Sequence, residues 1–339
     1  MSRTILDVKQ LSKNYRRHRS FFSSLNRASD TIPAVDNVSF YLRENETMGL
    51  VGESGCGKTT VGRTILRLTS ATSGSVFFDG LDITHLTDRE MRPVRKDMQM
   101  IFQDLDAGLN PKMRVYDILK EAICVHARLS DAEVENKSRM LLEQVNLKTS
   151  KLASYPAELS GGEKRRIGIA RVLAVGARMI VADEPTSALD VSIQAQVVNL
   201  LRDLQKELGL SYLFISHDLQ VVELMSDKVA VMYLGRIVEM GLAGTIAMAA
   251  RHPYTYILWS SLVEKQNREA SQNTKKIDRR AAWGVFDFER PSSGCRFAPR
   301  CPVYEQHGRP RECTDPENEP QLRDVGEGHQ VACHFPLCG

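Results

Sequence analysis

An α/β fold built around a phosphate-binding loop is what this sequence predicts, and three observations predict it. The run Gly52-Glu53-Ser54-Gly55-Cys56-Gly57-Lys58-Thr59 lies between an apolar stretch, Met48 to Val51, that reads as a buried strand, and a stretch where Val61, Ile65 and Leu68 recur at helical spacing. A second apolar strand, Met179 to Ala182, ends on two carboxylates, Asp183 and Glu184. Helical and strand patterns then alternate over residues 166 to 245.

In chain order, residues 5 to 90 read as strands around the phosphate loop, with a turn at Asp79-Gly80. Residues 104 to 165 read as a mostly helical insertion. Leu141, Leu142 and Val145 form an apolar face after the charged stretch Asp131 to Arg139, and Pro156 and Ser160 bound its end. Ser192 to Leu208 reads as a helix, and Lys228 to Tyr233 with Arg236 to Met240 as a hairpin about Leu234-Gly235. Glu264 to Arg280 is polar, has almost no apolar periodicity, and reads as a linker. There is no internal repeat and no heptad run.

The chain has 339 residues, 42% apolar and 26% charged, which suits a soluble globular protein with one large domain and an appendage. A net charge of +3 is too small for a general nucleic-acid sink. The N-terminus lacks the apolar core and cleavage site of a leader, and no apolar stretch approaches the ~18 to 20 residues of a membrane span, so a cytosolic protein is expected. Of seven cysteines, Cys56 lies in the phosphate loop and Cys124 in a helical pattern, while Cys295, Cys301, Cys313, Cys333 and Cys338 crowd the last fifth. In a cytosolic chain that crowding suggests metal rather than disulfides.

The residue types fit nucleotide chemistry. Glycines let backbone N–H groups converge on phosphates, Lys58 adds a full charge, and Thr59 or its neighbour Thr60 offers a hydroxyl to Mg²⁺. Asp183 would sit beside the metal and Glu184 beside an attacking water, as the candidate general base. Upstream, Ser160 caps a helix of Ile167, Ile169, Ala170, Val172 and Leu173, and with Gly161 and Gly162 makes a second anion-binding surface. Each feature alone has a bland counterpart: a glycine turn without ligand, or a solvated loop at a strand end.

Six motifs in one order carry a resemblance: the phosphate loop, Gln103 in Ile101-Phe102-Gln103-Asp104, Leu159-Ser160-Gly161-Gly162-Glu163, the Asp183-Glu184 strand, Ser187-Ala188-Leu189-Asp190, and His217 in Ser216-His217-Asp218. Over residues 5 to 245 the chain resembles the ATP-binding cassette (ABC) ATPases. The resemblance implies a P-loop NTPase cassette over residues 1–250, with a RecA-like core, an antiparallel β subdomain and a helical subdomain at 104–165. It implies ATP bound between the loop of one cassette (Gly52 to Thr60) and the signature (Ser160 to Glu163) of another. Lys58 would contact the β- and γ-phosphates, Thr59 and Gln103 the Mg²⁺, Asp183 its water shell, and Glu184 the nucleophilic water. His217 would reach the γ-phosphate, Asp190 would help join the subunits, and Tyr15 would stack on adenine. Glu163 stands where the family more often has Gln, which is expected to matter little.

The spacing of the late cysteines, five residues, then eleven, then nineteen, leaves zinc, an iron–sulfur cluster and free thiols open. Arg251-His252-Pro253-Tyr254-Thr255, Pro291-Ser292-Ser293-Gly294-Cys295-Arg296-Phe297 and Arg300-Cys301-Pro302 look like the C-terminal extension of oligopeptide and dipeptide importer ATPases, a group that includes nickel importers. That resemblance assigns residues 251–339 to the extension and implies a 4Fe-4S cluster on Cys295, Cys301, Cys313 and Cys333, with Cys338 spare. The short basic and aromatic segment Arg16 to Phe22 looks like an insertion of one of the two importer ATPases. The implied role is to power peptide import from the cytoplasmic face of the inner membrane, with a sister ATPase, two integral permeases and an extracytoplasmic binding protein, and no nucleic acid. The segment Leu109, Asn110, Pro111 and Met113 is where the permeases would dock. The rivals are a nickel importer ATPase and a soluble ABC-type ATPase acting on nucleic acid.

Overall fold

The computed structural model describes residues 3–16, 31–103, 108–187, 189–266 and 294–337. Residues 17–22 of the insertion, Asp104, Ala188, most of the expected linker, Pro291-Ser292-Ser293 and Cys338 lie outside the described residues. Strands β1 (Thr4–Arg16), β2 (Thr31–Arg43) and β3 (Thr47–Val51) lead into helix α1 (Lys58–Ile65), then β4 (Ser73–Phe78) and β5 (Leu81–Asp82). Helix α2 (Asp88–Asp97) and β6 (Met98–Ile101) precede α3 (Val115–Cys124), α4 (Asp131–Gln144) and α5 (Gly161–Ala174). Next come β7 (Met179–Asp183), α6 (Val191–Leu208), β8 (Ser211–Ile215), α7 (Leu219–Met225), β9 (Lys228–Tyr233), β10 (Arg236–Leu242) and α8 (Ala243–Met248). The extension holds α9 (Pro253–Gln266), α10 (Pro302–Gln306), β11 (Arg323–Asp324) and β12 (Gln330–Val331).

Two sheets result. One is antiparallel, in the order β2-β1-β4-β5; the other runs β11-β12-β10-β9-β3-β8-β7-β6. Within the second, β9, β3, β8, β7 and β6 pair in parallel. Every residue of β3, β7 and β8 is buried, as a parallel sheet covered on both faces requires. Alternate side chains feed different cores: Met179 and Val181 pack with α1 and the antiparallel sheet, Ile180 and Ala182 with α5 and α6.

Three expectations shift. Helix α1 ends at Ile65, because Arg67 adopts φ 55° and the Leu68 N–H returns to the Arg63 carbonyl at 2.9 Å, leaving Leu68 half exposed. Helix α9 runs to Gln266, into the expected linker. Leu109 is buried in the core, so its side chain is not available as a docking contact.

The extension is woven into the cassette. Strand β12 adds to the sheet edge, with Val331 opposite Glu239 and Gln330 opposite Met240, and Cys295, Phe297, Ala298 and Cys313 share one core with Tyr233 and Tyr254. The Tyr233, Tyr254 and Phe297 rings lie 4.6 to 5.4 Å apart between centroids, the tilted and edge-on contact that aromatic quadrupoles favour. A buried carboxylate latches the join. Glu239, with no exposed surface, accepts the backbone N–H groups of Arg251 at 2.6 Å and His252 at 2.9 Å, and faces His329 Nε2 at 2.7 Å. Glu239→Ala strands these polar groups in the core and is expected to cost about 3 kcal/mol, read as a lowered denaturation midpoint. An unchanged midpoint would show that the latch carries no stability.

Candidate nucleotide-binding site

Parallel strands end on the same side of a sheet, and here four of them deliver the chemistry. The phosphate loop follows β3, Gln103 follows β6, Glu184 follows β7 and His217 follows β8. One cleft is lined by Ala34, Ser54, Gly55, Gly57, Lys58, Thr59, Thr60, Gln103, Glu184 and His217. Gly57 is the last residue before α1, at φ 111°, and a Cβ there would lie 2.2 Å from the Ala34 carbonyl oxygen, so only glycine fits.

Behind the loop, Gly52, Glu53 and Cys56 hold its shape. The Lys58 ammonium donates to the Gly52 carbonyl at 2.8 Å and the Glu53 carbonyl at 3.0 Å, and the Cys56 N–H donates to Glu53 at 3.2 Å. Burial pushes the Cys56 thiol above its ordinary value despite the nearby Lys58 charge.

The polar groups of the cleft are mutually bonded. Thr59 Oγ1 donates to Asp183 Oδ1 at 3.0 Å, a hydroxyl and carboxylate placed as a pair of oxygen donors suited to a hard cation. Burial pushes the Asp183 carboxyl above its ordinary range, against the pull of Thr59, Arg63 and Lys58. Gln103 Nε2 donates to Glu184 Oε2 at 3.0 Å, and His217 Nδ1 lies 3.1 Å from Glu184 Oε1. Glu184 takes φ 48°, unusual for a residue with a Cβ. Its N–H donates to the Ile215 carbonyl at 2.8 Å, and its carbonyl accepts from Ser187 N at 3.1 Å, Ser187 Oγ at 3.0 Å and Arg165 at 3.1 Å. Arg165, a residue the sequence did not single out, also reaches the carbonyls of Ser187 and Gln103. One buried guanidinium thus ties the signature helix to the two loops beside it.

The signature residues do not line this cleft. Ser160 and Gly161 are exposed at the start of α5, with nothing within 4 Å of a Cβ built on Gly161. Tyr15 is 41% exposed near the end of β1, with the Lys13 ammonium 5.2 Å from its ring centre, and Asp190 is exposed at the start of α6.

Cys295, Cys301, Cys313 and Cys333 converge on one small cavity with Phe297 and His252. Their thiols are free. Burial raises all four, and neighbouring cysteines add to it at Cys301 and Cys313, raised to about 11, and at Cys333, raised to about 12. Among the described residues, however, no three His, Cys, Asp or Glu side chains form a group ready to hold a metal ion. The donor types and their location fit a thiolate-bound metal; the arrangement of the side chains is not a finished ligand shell.

Residues 35–187 match the family model described as ABC transporter, and residues 238–307 the model described as oligopeptide/dipeptide transporter, C-terminal region. The chain is 42% identical to the oligopeptide transport ATP-binding protein AppF of Bacillus subtilis, over 98% of this chain and 97% of that one. It is 43% identical to OppF of Salmonella typhimurium, an oligopeptide transport ATP-binding protein, over 89% and 88%. Among solved structures it resembles a dimeric post-hydrolysis state of the ATP-binding cassette MJ0796 bound to ADP and Pi, with TM-score 0.61 and 26% identity over 70% of this chain and 98% of that one.

Glu163 is explained by the helix it begins. Ser160 Oγ accepts the Glu163 N–H at 3.3 Å, while the Glu163 carboxylate accepts the Ser160 N–H at 2.9 Å and pairs with Lys151 at 2.8 Å. The Lys151 hydrogen bond and the Ser160 N–H hold its carboxyl below the ordinary value. The charge points back into the cap and is neutralised there. Because Gln preserves the reciprocal cap, Glu163→Gln is expected to change ATP turnover of the assembled complex by less than about ten-fold, whereas Glu163→Ala loses about 1 kcal/mol of helix stability. A larger effect of Gln would show that the carboxylate charge itself matters.

Proposed function

The chain belongs to the ABC transporter ATP-binding proteins, in the group that carries the oligopeptide/dipeptide transporter C-terminal region, and from that membership we propose that it hydrolyses ATP to drive peptide import through membrane permeases. The observation that carries this reading is the single cleft in which Lys58, Thr59, Gln103, Glu184 and His217 meet, in a chain similar along almost its whole length to oligopeptide transport ATP-binding proteins.

In this cleft the loop N–H groups and Lys58 bind the phosphates of ATP, and Tyr15 offers its exposed ring to the adenine. Thr59, Asp183 and Gln103 are the residues suited to hold Mg²⁺, which when bound neutralises charge on the phosphate oxygens. Glu184 accepts the proton of the water that attacks the γ-phosphorus, and the bond to the bridging oxygen breaks toward ADP. His217 orients the Glu184 carboxylate and reaches the transferred phosphoryl group.

Because the signature lies outside the cleft of its own chain, a second cassette supplies Ser160 and Gly161, in keeping with the dimeric form of the similar MJ0796 cassette. A sister ATPase fits this place, with Asp190 at the seam. Two integral permeases and an external binding protein complete the assembly, with this chain at the cytoplasmic face of the inner membrane. Among the described residues no helix is long and apolar enough to cross a membrane. A groove beside the helical insertion, with Leu68, Phe102 and Val125 exposed in it, offers an apolar seat for a permease helix. The extension favours peptides over nickel as cargo.

The four converging thiols support a finer reading, a 4Fe-4S cluster held by Cys295, Cys301, Cys313 and Cys333, which would displace four protons from a cavity that disfavours thiolates. Such a cluster would brace the extension. Protein purified anaerobically should carry about four irons per chain and a brown visible absorbance; colourless, iron-free protein would remove this reading. Glu184→Gln should retain ATP binding while slowing turnover about 10² to 10⁴-fold in the assembled complex, and labelled peptide uptake should fall with it. Unchanged turnover would move the general base elsewhere.

A further inference from the structure

Glu53, the second residue of the phosphate loop, turns away from the cleft and toward the extension. Its two carboxylate oxygens accept from the two terminal nitrogens of Arg300, at 2.8 and 2.9 Å, a forked pair. Its backbone N–H donates to the Tyr254 hydroxyl at 2.9 Å, and its carbonyl accepts from Lys58. Every polar group of Glu53 is therefore engaged, two of the three by residues of the extension. The pair is largely withdrawn from water, with side chains 24% and 17% exposed, and the Arg300 guanidinium lies 5.7 Å from the Tyr233 ring centre and 5.9 Å from that of Phe297. A parallel tie runs from Arg296 to Asp36, two residues beyond Ala34 in the cleft wall.

This places a carboxylate inside a loop whose work is to hold polyanions, and a partly desolvated negative charge there repels them. We propose that Arg300 is a positioning residue for nucleotide binding: it neutralises Glu53, while the Tyr254 hydroxyl holds the loop backbone from behind, so that the extension forms part of the ATP site. The proposal rests on the reading that this cleft takes ATP. Arg300 touches no substrate; it acts through Glu53. The forked geometry calls for a guanidinium, since an ammonium supplies charge without two parallel donors.

The alternative is that Arg300 only docks the extension, and a pair of variants separates the two. In the assembled full-chain complex, Arg300→Ala leaves Glu53 charged and unpaired, and the KM for ATP should rise about ten-fold or more while kcat stays within about three-fold. Adding Glu53→Gln to Arg300→Ala removes the uncompensated charge without restoring the pair, and should return KM to within about three-fold of the parent. Docking alone predicts the opposite, a double variant no better than the single one. Should Arg300→Ala fail to fold, Arg300→Lys and Tyr254→Phe test the same idea, with a several-fold rise in KM expected from each. Titration of the parent with ATP comes first. A parent that binds no ATP removes the functional reading itself, whereas a binding parent with an unaltered KM in Arg300→Ala, or a double variant without recovery, overturns only this inference.

Discussion

A loop that grips polyphosphate must aim several backbone N–H groups at one point, and the chain spends its most constrained residues on holding that shape. Gly57 has to take a left-handed backbone against the Ala34 carbonyl, and Lys58 bridges two loop carbonyls. The strand feeding the loop lies at the heart of a parallel sheet, fully buried between β8 and β9, so the loop inherits a rigid origin. The strain continues across the cleft. Glu184 occupies a backbone region unfavourable for a side chain with a Cβ, and the bonds its carbonyl accepts from Ser187 and Arg165, with the one its N–H donates to Ile215, over-determine its position.

What the sequence disclosed follows from distance along the chain. β3, β7 and β8 are apolar runs of five residues because both sheet faces are covered, and the groups that matter follow directly from those runs, so strand and motif announce one another. Ser160 was similarly legible as a cap, whereas the return bond from Glu163, three residues on, was not foreseen although the capping box is a local pattern. The contacts of the extension were not. Tyr254 meets Glu53 across 201 residues and Arg300 meets it across 247, and no local periodicity encodes either meeting. A region rich in Cys, Pro and Arg also lacks the apolar repeat that would have marked its share of the core. The end of α1 was missed for a smaller reason: a left-handed arginine closes the helix where glycine is the usual signal.

The four cysteines show how convergence and ligation differ. A cavity can gather thiols through packing alone, and burial then keeps them protonated, as the raised values of Cys301, Cys313 and Cys333 indicate. A metal must repay the loss of those protons, which a multi-iron centre does through several thiolate bonds at once. Phe297 lines the cavity and belongs to the Tyr233, Tyr254 and Phe297 cluster, and Arg300 immediately precedes Cys301, so the thiols and the residues behind the phosphate loop share one packed region.

The cleft also carries an argument for coupling closure to hydrolysis. The Glu184 side chain is only 17% exposed, but that of its partner His217 is 59% exposed, so in one chain this side of the cleft is open to bulk water. Charge stabilisation is weak in that setting, because water screens each dipole and must reorganise as the phosphoryl group moves. The exposed, glycine-rich N-terminus of α5 does not line this cleft. On the proposed reading, covering the cleft with that surface of a second cassette would displace water from beside Glu184 and His217 and bring fresh N–H donors to the phosphate side in the same movement. A lone cassette would, on the same reading, bind nucleotide with its loop but lack the dry environment for fast cleavage, and the energy of joining two cassettes would be the quantity that ATP controls.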